Sequence, residues 1–212
     1  MLKKNLKTII LTSAIIILPI VAGLVMWNKL PDTLPTHWNF SGEVDGLSSK
    51  PFAVIFLPLF MLVMHLVCTF ATSLDPKNEG INSKIFSLIL WICPILSVVC
   101  MASVYMTALG MDVKVEFLIP LVMGIIFLII GNYLPKCKQN YTVGIKIPWT
   151  LNCEENWNKT HRFAGVVWTI SALVVIGGSF FEDVVVYTTF VPIAVMVFAP
   201  MIYSYIYYRK RR

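Results

Sequence analysis

Six stretches of this chain, near 8–28, 51–74, 85–110, 116–134, 162–181 and 184–208, are each long and apolar enough to cross a hydrocarbon core. Little sequence remains between them except links. Backbone inside hydrocarbon must satisfy its own N–H and C=O groups, and separate segments of this length do so as helices. Composition agrees: 58% of the 212 residues are hydrophobic and 13% are charged, where soluble domains carry about 25% charged residues. The expected fold is all-α: a polytopic membrane protein, a six-transmembrane-helix bundle forming one membrane domain over residues 1–212. The first run follows the basic leader "MLKKNLK", but it is longer than a signal-peptide core and no A-x-A cleavage site follows. It reads as a retained first span.

Cations set the orientation. With the N-terminus inside, Lys3, Lys4, Lys7, Lys77, Lys84, Lys136, Lys138, Lys146, Lys159, Arg162, Arg209, Lys210, Arg211 and Arg212 fall inside, and Lys29, Lys50 and Lys114 outside. That asymmetry predicts both termini in the cytoplasm. It also accounts for the net charge of +6 without invoking direct nucleic acid binding. No Asp, Glu, Lys or Arg lies within a span core, which argues against ion-coupled transport. His65 is the one imidazole within a span, and it reads either as a functional polar site or as a neutral His bonded to a Ser, Thr or carbonyl of a neighbouring helix. The five cysteines form no CxxC pair, and Cys137 and Cys153 are too sparse for a zinc site. No cofactor is expected.

Two polar intervals are richer than links. The outer loop 30–50, "LPDTLPTHWNFSGEVDGLSSK", starts extended at Pro31 and Pro35 and has turns available at Gly42 and Gly46. His37, Glu43 and Asp45 carry donor atoms, but their spacing matches no metal-ligand motif. Trp38 and Phe40 suit the headgroup layer, and the remaining reading is a surface that meets an external ligand. Asn39 begins an N-x-S sequon. The inner loop 135–161 lies between the fourth and fifth spans. Asn152 with Glu155 reads as a capping box, so the fifth helix should begin near Cys153. Trp157, His161, Ala164, Gly165 and Trp168 then share one face, and the small Ala164 and Gly165 allow another helix to approach closely. His161 reads as a ligand- or proton-binding group or as an interfacial His bonded to a loop carbonyl. Gly144 permits a turn.

The two intervals together resemble the SdpI family of bacterial immunity and signal-transduction membrane proteins. The first carries Leu30, Pro31, Leu34, Pro35, His37, Trp38, Asn39, Gly42 and Asp45. The second carries Gly131, Asn132, Tyr133, Leu134, Pro135, Lys136, Asn140, Gly144, Ile145, Pro148, Trp149, Thr150, Trp157, Thr160 and His161. The resemblance implies a non-enzymatic protein of the bacterial plasma membrane that protects the producing cell from a secreted peptide toxin. It also implies a receptor role, in which a cytoplasmic transcriptional repressor is held at the membrane. His37, Trp38, Asn39, Gly42, Asp45, Asn132, Tyr133, Pro148, Trp149, Thr150, Trp157 and His161 become the candidate toxin- or partner-binding residues, with His65 as an intramembrane candidate. Two other classes compete. A small exporter of a toxic peptide would need charged groups in its spans or a nucleotide-binding motif. A membrane-embedded enzyme using His37 or His161 would need a nucleophile or metal nearby, and the chain has no HExxH or GxSxG.

Overall fold

The computed structural model describes residues 1–77 and 81–211. Within them, six helices are long and apolar enough to cross a membrane. They are α1 (Leu2–Val25), α2 (Leu57–Ser73, entered through a π-helical turn at Phe52–Phe56), α3 (Ser83–Ala108), α4 (Val115–Tyr133), α6 (Glu154–Gly178) and α7 (Val185–Arg209); α5 is a single turn, Pro148–Leu151. The protein is thus a multi-pass, overwhelmingly helical membrane protein. The link 75–84, "DPKNEGINSK", has the composition of a turn-rich loop; its residues 78–80, like Arg212 of the cation set, lie outside the described residues.

The spans sit close to their expected places, with one shift. Helix α1 starts at Leu2 rather than residue 8, its first turns carrying Lys3, Lys4 and Lys7 ahead of the apolar run. Helix α6 starts at Glu154, ahead of the apolar run at 162 and next to Cys153, where the fifth helix was expected to begin. Its cap differs from expectation: Cys153, in extended conformation and with no side-chain bond, is the N-cap. Asn152 instead closes the short α5, its amide bonding to the Pro148 carbonyl. Glu155 turns to Arg211, Lys159 and Tyr207. A second short helix directly before the first took the residue that would have capped it.

The chain folds into two compact units. The first, residues 1–73 and 86–115, holds α1, α2 and most of α3. Its interval 30–50, expected outside, is not a plain loop. It is a β-hairpin, β1 (Thr33–Trp38) against β2 (Val44–Ser49), antiparallel, with irregular register around His37. Local reasoning missed it because Pro35 and Gly46 interrupt both strands and neither alternates cleanly. Leu34 is fully buried and anchors the hairpin in a core of Leu30, Ala53, Val54, Met101, Val104 and Tyr105. Deeper in this unit, His65 Nε2 lies 3.1 Å from the Thr12 hydroxyl. Of the two readings of His65, the geometry is that of the His bonded to a neighbouring helix.

The second unit, residues 74–85 and 116–211, holds α4 to α7. Helices α6 and α7 form an antiparallel hairpin joined at both ends. Gly178 lies against Thr188 near the link, and Asn156 bonds the Ser204 carbonyl near the far end. Midway, the Trp168 indole donates to the Met196 carbonyl at 3.1 Å. Pro200 sits four residues past Met196 and has no N–H to give that carbonyl, so Trp168 supplies the missing donor inside the span. Helix α4 meets α6 through its glycines. A Cβ at Gly124 would fall 2.6 Å from Ile176, and one at Gly131 would fall 2.9 Å from Trp168. Gly165, where a close approach was expected, faces α4 as well: a Cβ there would lie 3.0 Å from the Gly131 carbonyl oxygen.

Candidate functional site

The interval 135–161 of the second unit folds into a collar around the start of α6. Its centre is an aromatic pair: the Trp157 and His161 rings stack 4.0 Å apart, 19° from parallel. Both are buried, Trp157 wholly. Helical spacing of four places the rings together, and the loop 137–147 closes over them. The Trp157 indole donates to the Cys137 carbonyl at 2.8 Å. The Ile145 amide donates to His161 Nε2 at 3.0 Å, so the proton of that imidazole resides on Nδ1, which donates to the Trp157 carbonyl at 2.8 Å. The ring is held neutral: a protonated imidazole would have no lone pair for Ile145. His161 is therefore bonded to the backbone on both nitrogens. The sequence reading had the loop contact right in place but reversed in sense, since the loop offers an amide rather than a carbonyl.

Gly144 makes the closure possible. Its φ is +112°, and a Cβ there would collide with His161 Nε2 and sit 3.1 Å from the Trp157 ring. Both conditions call for glycine. Asn140, fully buried, shapes the preceding turn. Its carbonyl oxygen accepts from the Thr142 and Val143 amides, and its amide donates to the Lys138 carbonyl at 2.9 Å. Thr150, also fully buried, accepts from the Ile147 amide and donates to the Ile145 carbonyl at 2.8 Å.

Three further residues hold the collar, and none was singled out from sequence. Asp75, just past α2, is buried. It accepts from the Lys77 amide, the Tyr141 amide and the Thr142 hydroxyl, each at 2.8 Å. Burial pushes its carboxyl up, but the hydrogen bonds from Lys77, Thr142 and Tyr141 outweigh that and hold it below the usual carboxylate range. Gln139 donates to the Thr150 and Leu151 carbonyls at the end of α5. Asn156 joins Thr160 on its own helix to Ser204 of α7. The Asn156–Thr160 spacing of four was the available signal, a polar pair on a face turned to another helix. Asp75-Pro76 announced only a turn; its partners lie far along the chain.

The other inner candidates lie on the surface of this structure or beside it. Trp149 packs on Tyr205 and Tyr208 of α7, and its buried indole N–H has no partner among the described residues. Pro148 opens α5. Tyr133 lies under the Lys136 ammonium, 4.9 Å away. Asn132 is exposed.

The outer candidates are arranged differently. His37 Nδ1 and Asp45 Oδ1 are 2.5 Å apart across the hairpin and solvent-accessible. Gly46 permits this, since a Cβ there would lie 2.7 Å from that of His37. Asn39 builds the turn, its carbonyl oxygen accepting from the Ser41 and Glu43 amides, and Gly42 turns the chain at φ +80°. Trp38 packs against the core beneath. Around them Phe40 and Leu47 are 66% and 63% exposed. Glu43 bonds Asn39 rather than joining His37 and Asp45. Among the described residues, no three His, Cys, Asp or Glu are placed to share a metal ion.

Comparison with known proteins follows the same two regions. Residues 136–204, which include the collar, match the SdpI/YfhL protein family. Residues 14–62, which include the hairpin, match a domain of unknown function (DUF1648). Over 210 residues the chain is 27% identical to "Immunity protein SdpI" of Bacillus subtilis (strain 168), covering 99% of this chain and 98% of that protein. No solved structure matches the chain. Both halves of the resemblance thus lie along one relative of nearly equal length, and the chain is similar to the SdpI/YfhL family through residues 136–204.

Proposed function

We propose that this is an immunity protein: it sits in the plasma membrane of a bacterium and protects that cell from a secreted, membrane-active peptide. The observation that carries the reading is similarity over nearly the whole chain to a protein named for immunity. Protection here is by binding, with no chemical step. The cation asymmetry supports cytoplasmic termini, which turns the hairpin outward and the collar inward. The hairpin supplies what an amphipathic peptide needs, exposed Phe40, Leu47 and Val44 beside the polar His37–Asp45 pair. The collar then offers a cytoplasmic surface on which a transcriptional repressor docks when toxin is engaged, the receptor half of the proposal.

The deciding experiment is a killing assay. A sensitive bacterium expressing the protein is challenged with a set of secreted membrane-active peptides. Survival against one of them, with the peptide left intact and not removed from the cells, is the expected result. Cleavage of that peptide by purified protein, or its transport by protein in vesicles, would replace immunity by binding with enzyme or exporter. A reporter gene under the candidate repressor, read with and without toxin, tests the receptor half separately.

A further inference from the structure

A groove of about 270 Å³ runs along the second unit beside the crossing of α4 and α6, lined by Gly131, Asn132, Pro135, Arg162, Val166 and Ile170, with Gly165 and Thr169 at its floor. Its depth comes from the glycines. Gly165 has Pro135 Cγ where its own Cβ would be, at 2.5 Å, and Gly131 lies against Thr169. The two backbones therefore meet, and no side chain fills the space alongside. Arg162, Val166 and Ile170 follow at intervals of four on one face of α6. Val166 and Ile170 are 60% and 59% exposed on a membrane-spanning helix, so the groove opens to hydrocarbon. At its water end stand Arg162 and Asn132. Both are exposed, and neither has a hydrogen bond or ion pair with another described residue.

We propose that this groove binds one anionic phospholipid, with an acyl chain along Val166 and Ile170 and the phosphate on Arg162 and Asn132. Charge complementarity selects the occupant. A guanidinium presents paired N–H donors that match two phosphate oxygens, and the Asn132 amide adds another donor. The chain itself contributes little preference, because lipid tails are as apolar inside the bilayer as the groove wall. Selection therefore resides in the headgroup: both phospholipids offer a phosphate, but phosphatidylethanolamine brings its own ammonium beside Arg162 and phosphatidylglycerol does not, while the groove fixes its position. The neighbouring Glu155 does not compete for Arg162, since it is engaged by Arg211 and Lys159.

Native mass spectrometry of the full-length, detergent-purified protein tests this, with phosphatidylglycerol and phosphatidylethanolamine offered together as probes. One tightly held phosphatidylglycerol is expected. Arg162→Gln should lower the preference for phosphatidylglycerol roughly tenfold, the scale of one charge-assisted hydrogen-bonded pair. Ile170→Trp, which fills the groove from an exposed position, should lower retention of both lipids. Lys210→Gln, which removes the same charge away from the groove, should leave the preference within about twofold, separating the site from general attraction of cations for anionic lipid. Inorganic phosphate should not compete. Equal retention of the two lipids, an unchanged preference in Arg162→Gln, competition by phosphate alone, or a retained mass that is a peptide would each overturn the proposal.

Discussion

The hairpin and the collar both carry residues of the resemblance to the SdpI family, yet they use them in opposite ways. In the collar the polar groups turn inward: Asn140, Thr150, Asn156 and His161 are buried, and each bonds backbone or a neighbouring buried group. Trp157, the largest fully buried side chain, is tied by its one donor. In the hairpin the bonds lie at the surface, and apolar Phe40 and Leu47 stand in the open. A buried polar network rewards complete pairing and penalises any gap. An exposed one costs little to alter, so selection can act there on what the surface touches. The buried residues of the collar's signature thus read as architecture, and the exposed ones of the hairpin as the surface proposed for the peptide.

The comparison is tested most severely at Trp157. Trp157→Ala removes the ring under the loop and leaves the Cys137 carbonyl without its donor; a loss of about 3–5 kcal/mol is expected for a buried Trp. In detergent the variant should melt well below the parent and accumulate poorly in membranes. A variant that melts with the parent would mean that the collar is not the load that holds α6 and its loop together. Gly144→Ala should come next. It forces an alanine to a positive φ, at a cost of about 1–3 kcal/mol, and displaces His161 Nε2 from the Ile145 amide. Gly110, with φ +82° and open space around it, is the internal control: the same substitution there carries the backbone cost without the collision. Gly144→Ala should therefore lower the melting temperature more than Gly110→Ala.

Asp75 gives the collar a pH dependence. Its carboxyl titrates below the usual carboxylate range in the folded protein. The unfolded chain thus binds the proton first as pH falls. The stabilisation is whole above the usual carboxylate range and is lost as pH drops through the lower folded value. At neutral pH the parent should show no dependence from this group. Asp75→Asn keeps an acceptor but loses the charge, and should cost about 1–2 kcal/mol at pH 7. The measurement is melting temperature against pH for both proteins: the two curves should converge in acid. Curves that stay parallel would remove Asp75 from the latch.

How far this contrast was legible in sequence depends on the distance over which each contact is made. The spans followed from hydropathy, and the Trp157–His161–Ala164–Gly165 face followed from helical spacing, because both are local. Ala164 and Gly165 promised a close neighbour, though not which helix; that it is α4, through Gly124 and Gly131, only the fold shows. Asp75 was not foreseeable: its partners Tyr141 and Thr142 are supplied by a different loop. The capping box failed for a related reason. Asn152 and Glu155 have the right spacing, but Pro148 starts a turn of helix that uses Asn152 at its end. The hairpin was hidden by Pro35 and Gly46, which weaken strand signals while serving the irregular register at His37.

The smallest expected effect on stability is also the most direct test of the contrast. Phe40 and Leu47 are 66% and 63% exposed, so Phe40→Ser and Leu47→Ser together should change stability by no more than about 0.5 kcal/mol each, the range of ordinary surface substitutions. The melting curve should overlay the parent's, and Leu34 should still anchor the hairpin. Protection in the killing assay should nevertheless fall, because the apolar contact for the peptide is gone. Collar variants should show the reverse linkage, losing protection only in step with folded protein in the membrane. If the double hairpin variant protects as fully as the parent at equal membrane level, the outer surface is not where the toxin is met. A collar variant that folds normally and fails to protect would then move the binding surface to the inner end.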